Sequence, residues 1–375
     1  MAQSMNQGRL LDKNFYLQFP YSDYRQEMKQ TVTLRGKTYQ RFILDTGAPL
    51  CISRKLQEQH KFPVLFVTEI YDSNNTRDSI VVVTVDTLSI GGVRFINIPA
   101  VVIDFSKGPT ACENLDGFVG SNVTRFFILQ VDTKARQMIF TDQPHKLDIV
   151  NQPSYPVRLD DQSNAYLAVR FNDGFTDTTH FDSGMRRFYH MNDKRAQQFV
   201  RQYGEENTVV LTGSGTTNQG IFGSGKASTQ MVLKARQMQF GNAILKNAHF
   251  EITNNPSRIG REWLKYGKLT IDYPNSRYYW QPYTITEAIN PREFGIRFQS
   301  GDGFLKAGLV WQGSQAEKAG IKAGDEIKSL NGREFSNLNT CAVDNVLREE
   351  LQKDTIVLEL KGFQRQVRLS IMKLK

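Results

Sequence analysis

Polar and apolar residues alternate along Thr31-Val32-Thr33-Leu34 and again along Thr38 to Leu44, on either side of Arg35-Gly36-Lys37. The same layout recurs at Tyr166 to Phe171 and Phe175 to Phe181, around Asn172-Asp173-Gly174. Period-two alternation across a Gly-containing turn predicts a β-hairpin, because such turns need positive φ. Each second strand ends in an acid, a hydroxyl residue and a glycine: Asp45-Thr46-Gly47 and Asp182-Ser183-Gly184. A strand-sized β-branched run at Ile80 to Val85 and further alternation at Ser228 to Phe240 make the expected protein mainly β.

An internal repeat emerges once the two Asp motifs serve as anchors. Gly120 to Asp132 matches Gly260 to Asp272 at an offset of 140 residues, and the match runs without gaps to Phe140 and Trp280. The Asp motifs are offset by 137. Leu88-Ser89-Ile90-Gly91 and Met238-Gln239-Phe240-Gly241 each precede another alternating strand, and Ser53 and Asn192 stand as N-caps of a helix after each Asp motif. A period this long is a duplicated lobe rather than a solenoid unit. The expected division is a leader over 1–14, lobe 1 over 15–150, lobe 2 over 151–284, a linker over 285–291 and a third unit over 292–375.

In the third unit, Gln315 to Gly320 reads as a short helix, Gly324-Asp325 as a turn into a strand, and Asn331-Gly332 as another turn. Val343, Val346, Leu347 and Leu351 have helical spacing within Thr340 to Lys353. Thr355 to Leu360 and Gln366 to Ile371 alternate as closing strands.

Composition narrows the functional classes. The 47 basic and 38 acidic residues give a net charge of +9, spread along the chain without a basic block, so a solvated surface is expected rather than a nucleic-acid interface. No apolar run approaches the roughly 20 residues that span a bilayer, and Met1-Ala2-Gln3-Ser4 does not read as a signal peptide. Five histidines without a HExxH motif or a His/Cys cluster offer no metal site, and no cofactor is expected. Cys51, Cys112 and Cys341 read as free buried thiols, with a Cys51–Cys112 bridge within lobe 1 as the alternative. Gly220 to Lys226 almost spells a phosphate-binding loop, but Ala227 follows the lysine and a strand follows that, so it is set aside as a hairpin.

Two carboxyls delivered by equivalent hairpins have a specific chemistry. A hydrogen bond apart, they share one proton, because both cannot ionise cheaply. The ionised member can then draw a proton from water while the protonated one donates to a carbonyl oxygen. Thr46 and Ser183 are placed to clamp the loops to each other, and Gly47 and Gly184 let backbone N–H groups approach the carboxylates.

Phe42-Ile-Leu-Asp-Thr-Gly-Ala48, Asp116-Gly-Phe-Val-Gly120, Phe181-Asp-Ser-Gly184 and Arg258-Ile-Gly260 resemble the pepsin and retropepsin superfamily of aspartic peptidases over about 270 residues. That resemblance implies a bilobal acid-protease β-barrel fold with Asp45 and Asp182 as the catalytic pair. Thr46, Gly47, Ser183 and Gly184 would support it. A flap is implied near Tyr71 to Ser79, with a lobe 2 counterpart around Thr212 to Gly225. Arg258 stands where lobe 1 has Phe118, so it is a possible modulator that either faces Asp182 or points to solvent.

Residues 292–375 resemble a PDZ domain of the bacterial type, carried by Gln315-Ala-Glu-Lys-Ala-Gly320, Ala323-Gly-Asp-Glu-Ile327 and Asn331-Gly332. Phe294-Gly295-Ile296 matches the loop that holds a peptide C-terminus, with Thr340 to Leu351 as the other wall of the groove. Together the resemblances imply an aspartic endopeptidase whose PDZ unit recruits or regulates peptide and protein substrates. They also imply an exported protein, whether periplasmic, secreted or surface-associated. The alternative is an inactive peptide- or protein-binding protein on the same fold.

Overall fold

A computed structural model describes residues 4–21, 28–71, 77–106, 108–216, 219–220, 223–284, 291–362 and 365–374. In lobe 1, Lys29–Leu34 pairs antiparallel with Lys37–Asp45 around a turn in which Arg35 and Gly36 both have positive φ. The corresponding lobe 2 hairpin joins Ala165–Phe171 to Phe175–Phe181. Alternation buries Phe42 and Leu44 of the first hairpin and Phe181 of the second in one large core that runs through both lobes. Each Asp-bearing strand then gains a parallel neighbour, Gly117–Gly120 in lobe 1 and Arg258–Ile259 in lobe 2. Ser53 caps Arg54–His60 by accepting from the Leu56 N–H, and Asn192 caps Asp193–Tyr203 by accepting from the Lys194 N–H.

The repeat meets itself in a six-stranded sheet. Ile128–Asp132 pairs antiparallel with Gly267–Asp272, in a register that sets Gln130 opposite Thr270. These residues are equivalent under the 140-residue offset, so the pseudo-twofold axis passes through this pair. Gln130 Nε2 donates to Thr270 Oγ1 at 2.8 Å, which keeps two buried polar side chains satisfied.

The third unit has the expected elements: helices Gln315–Lys318 and Thr340–Glu350, and strands Ile296–Gly301, Phe304–Trp311, Glu326–Leu330, Thr355–Leu360 and Val367–Ser370. It is built into the protein rather than hung from it. Val209–Gly215 of lobe 2 pairs antiparallel with Phe304–Trp311, matching Gly213 to Trp311 and Gly215 to Leu309, so one sheet crosses the boundary. Leu211 and Val232 of lobe 2 pack with Leu309, Trp311 and Leu374 in an apolar cluster at the same junction.

Several expectations need correcting. The cysteines are neither all free nor bridged within lobe 1: Cys112 and Cys341 form a disulfide across 229 residues, and Cys51 alone is a free, buried thiol. Such a bridge joins segments that only tertiary packing brings together, so spacing gave no hint of it. Within the stretch 1–14, the described residues are tied to lobe 1. Arg9–Leu10 pairs with Val93–Ile103 on the edge of the lobe 1 sheet, and Asp142 accepts from the Asn14 and Phe15 N–H groups. Residues 285–290 of the expected linker and 72–76 of the lobe 1 flap lie outside the described residues, as do 217–218 and 221–222 of the lobe 2 hairpin.

Candidate active site

The two Asp loops are locked by a reciprocal set of buried hydrogen bonds. The Thr46 N–H donates to Ser183 Oγ at 2.9 Å, and the Ser183 N–H donates to Thr46 Oγ1 at 3.0 Å. Thr46 Oγ1 donates onward to the Phe181 carbonyl at 2.7 Å, and Ser183 Oγ to the Leu44 carbonyl at 2.9 Å. Each hydroxyl thus donates and accepts across the lobe interface, and both residues are fully buried. No pair of residues lacking a hydroxyl could satisfy the same backbone groups.

The glycines set how closely the carboxyls approach. A Cβ on Gly47 would lie 2.6 Å from Asp182 Cγ, and one on Gly184 would lie 2.5 Å from Asp45 Oδ2. Any side chain at either position would therefore push the opposite carboxyl away. The Gly47 N–H donates to Asp45 Oδ1 and the Gly184 N–H to Asp182 Oδ1, each at 3.0 Å, and the Met185 N–H adds a second donor on Asp182 at 3.1 Å.

Burial, and then the charge of Asp182, push the Asp45 carboxyl up to about 7, while the Gly47 N–H and Arg261 act in the opposite direction. A hydrogen bond between the carboxyls also favours the protonated form of Asp45. Arg258 does not point away into solvent. Its Nη1 lies 3.4 Å from Asp182 Oδ2, with the side chain 21% exposed. His180 and His190 are held neutral, both lowered to about 4 chiefly by burial, and act as uncharged filling rather than acid–base groups at physiological pH.

The expected residues Asp45, Thr46, Gly47, Asp182, Ser183, Gly184 and Arg258 therefore converge on one point. Phe294, Gly295 and Ile296 lie elsewhere, at the start of the third unit's first strand. Gly295 has φ +83°, and its carbonyl accepts from the Trp311 N–H at 3.0 Å and from Ser314 Oγ at 3.2 Å. Helix Thr340–Glu350 packs on strand Ile296–Gly301, and the disulfide from Cys341 fastens that helix to lobe 1.

One set of residues went unnoticed in the sequence. Arg297 donates to Glu251 of lobe 2 at 2.6 Å and pairs with Glu293, which also accepts from Trp311 Nε1 at 2.9 Å. The cations Arg297 and Arg187, with His190, outweigh burial and hold the Glu251 carboxyl well below the usual range. Comparing the two lobes could have found the acid, because Glu251 occupies the register position that Val101 holds in lobe 1.

Two lobes related by an approximate twofold axis, each giving an Asp loop to a shared site, define the mainly β, pepsin-like acid-protease architecture. Residues 30–123 match the family model described as aspartyl protease, and residues 284–361 match that of the PDZ domain. The chain thus joins an aspartyl protease domain to a C-terminal PDZ domain. Among solved structures it is similar to basic 7S globulin from soybean, with 13% identity, a TM-score of 0.39, and coverage of 72% of this chain and 95% of that one. Conglutin gamma from lupine seeds matches at 10% identity and TM-score 0.41, over 72% and 95% of the two chains. A retropepsin-like aspartic protease from Rickettsia conorii matches at 14% and 0.27, over 35% and 94%. A comparison with curated proteins found no match.

Proposed function

We propose that this chain is an aspartic endopeptidase that hydrolyses peptide bonds with water activated between Asp45 and Asp182. The observation that carries the reading is the reciprocal Thr46–Ser183 clamp, which sets the part-buried Asp45 carboxyl against the buried Asp182 carboxyl and leaves Asp45 with the shared proton. Asp182, facing Arg258, carries the charge and takes a proton from water. The water oxygen bonds to the peptide carbon as Asp45 donates to the carbonyl oxygen. Collapse of the tetrahedral species returns a proton to the leaving amine. Arg258 stands beside the carboxyl that carries the charge in this scheme.

The PDZ unit supports a second element of the reading, capture of extended peptides by their C-termini at Phe294-Gly295-Ile296, to recruit substrate or to govern access. The Cys112–Cys341 bridge favours an oxidising compartment, consistent with export. The test is cleavage of a diverse peptide library from pH 3 to 8 by the wild type and by the Asp45→Asn and Asp182→Asn variants. Activity lost in both variants supports the dyad. A wild type that cleaves nothing, or single variants that keep its activity, would overturn it. The Arg258–Asp182 contact favours one competing reading, a non-catalytic peptide-binding protein, and peptide retention without turnover would identify it.

A further inference from the structure

The lobes are equivalent in backbone but opposite in chemistry on one face. In lobe 1, Ile43 lies beside Phe118, Phe118 opposite Cys51, and Cys51 beside Val101. These four residues belong to an apolar cluster separate from the main core, against which Ala48 of the Asp45 loop packs. The same registers in lobe 2 set His180 beside Arg258, Arg258 opposite His190, and His190 beside Glu251. Every apolar residue of the layer has become polar or charged. Glu251 is matched by Arg297, and the histidines are neutral. Arg258 keeps its charge next to the reacting carboxyls.

Arg258 also has donors to spare. A guanidinium carries five N–H groups, yet the only partner within reach among the described residues is Asp182, and Nε is buried without one. Arg258 acts on Tyr166, His180 and His190, none of which bears a negative charge, and the acids Asp160 and Glu251 act on those same three groups. A part-buried guanidinium with one buried donor unmet, beside the scissile position, disfavours apolar groups and rewards a carboxylate.

Resting on the endopeptidase reading above, we propose that Arg258 is a specificity-determining residue. It selects peptides with an acidic side chain on the lobe 2 side of the scissile bond, while the Phe118 side accepts an apolar one. The two requirements overlap in a pH window. A substrate Glu is ionised above about pH 4.3, and Asp45 keeps its proton up to about 7, so selectivity is greatest at pH 5 to 6.5 and fades below pH 4.

The test uses the full chain and fluorogenic peptides with Phe on one side of the scissile bond and Glu, Gln, Leu or Lys on the other, in both orientations. At pH 5.5 the wild type is expected to favour Glu over Leu and Lys by at least about tenfold in kcat/KM in one orientation. Arg258→Leu should remove or invert that preference, and Arg258→Lys should retain its direction. Binding of the same peptides to the Asp45→Asn variant, by fluorescence anisotropy, gives a readout independent of turnover, and thermal melts confirm that each variant is folded. Equal cleavage and binding of Glu and Leu peptides by proteins with Arg258 would overturn the proposal while leaving the endopeptidase reading intact. Glu-selective binding that Arg258→Leu removes, with no cleavage by the wild type, would leave the subsite standing and refute the endopeptidase reading.

Discussion

A carboxyl that holds its proton to about pH 7 makes the folded state less stable as pH rises, and Asp45→Asn should expose the size of that penalty. Between the ordinary carboxyl value of 3.8 and about 7, the folded protein binds one more proton at this site than the unfolded chain does. Stability associated with Asp45 is therefore fully present below pH 3.8 and is lost as pH rises through 7. At about 1.4 kcal/mol per pH unit, the interval corresponds to about 4 kcal/mol. Asp45 is only partly buried by its surface, and cleft water halves the figure to about 2 kcal/mol. Asparagine cannot ionise, so Asp45→Asn should match wild-type stability near pH 4 and exceed it by about 2 kcal/mol at pH 7.5, with most of the gain appearing between pH 4 and 7. Urea unfolding followed by tryptophan fluorescence at half-unit pH steps measures the difference, and titrations common to both proteins cancel. A variant gain that is the same at pH 4 and 7.5, or a variant less stable at pH 7.5, would show that the carboxyls are not packed as a proton-sharing pair.

The same proton makes peptide hydrolysis by the wild type fall as pH rises through about 7, where Asp45 stops donating, a limb that a kcat profile should display. Thr46→Val keeps the shape but strands the Ser183 N–H and the Phe181 carbonyl, so denaturant titration should find a loss of about 2–4 kcal/mol, with activity falling more than the melting point suggests. Arg297→Leu leaves Glu293 buried without its cation and Glu251 with only the more distant Arg187, and we expect a loss of about 3–5 kcal/mol, recovered in part by adding Glu251→Leu in a double-mutant cycle. Reduction of Cys112–Cys341, or Cys112→Ser, should cost about 2–4 kcal/mol and raise amide exchange in helix Thr340–Glu350, read by mass spectrometry.

Much of this architecture could be read from the sequence because it is local or repeated. Alternation specified the two Asp hairpins, and Ser53 and Asn192 marked helix starts through chemistry that acts over three residues. The offset of 140 anticipated equivalent lobes, and the Gln130–Thr270 pairing shows why: duplicated strands lie side by side on the axis. The Thr46–Ser183 clamp was legible for the same reason, since equivalent loops approaching an axis must meet. Other features lacked any such pattern. Trp311 reads as one more apolar strand residue, and nothing in its neighbourhood announces that Gly213 will pair with it. Arg297 and Glu251 look like surface charges until the PDZ unit and lobe 2 meet. Contacts between units depend on rigid-body docking, which leaves no period in either segment.

The Cys112–Cys341 bond makes a covalent ring of everything between its ends, and all of lobe 2 lies inside that ring. Cleavage at any one bond within the ring would linearise it without freeing a fragment. Such a molecule keeps its mass on a non-reducing gel and separates into two pieces only when reduced.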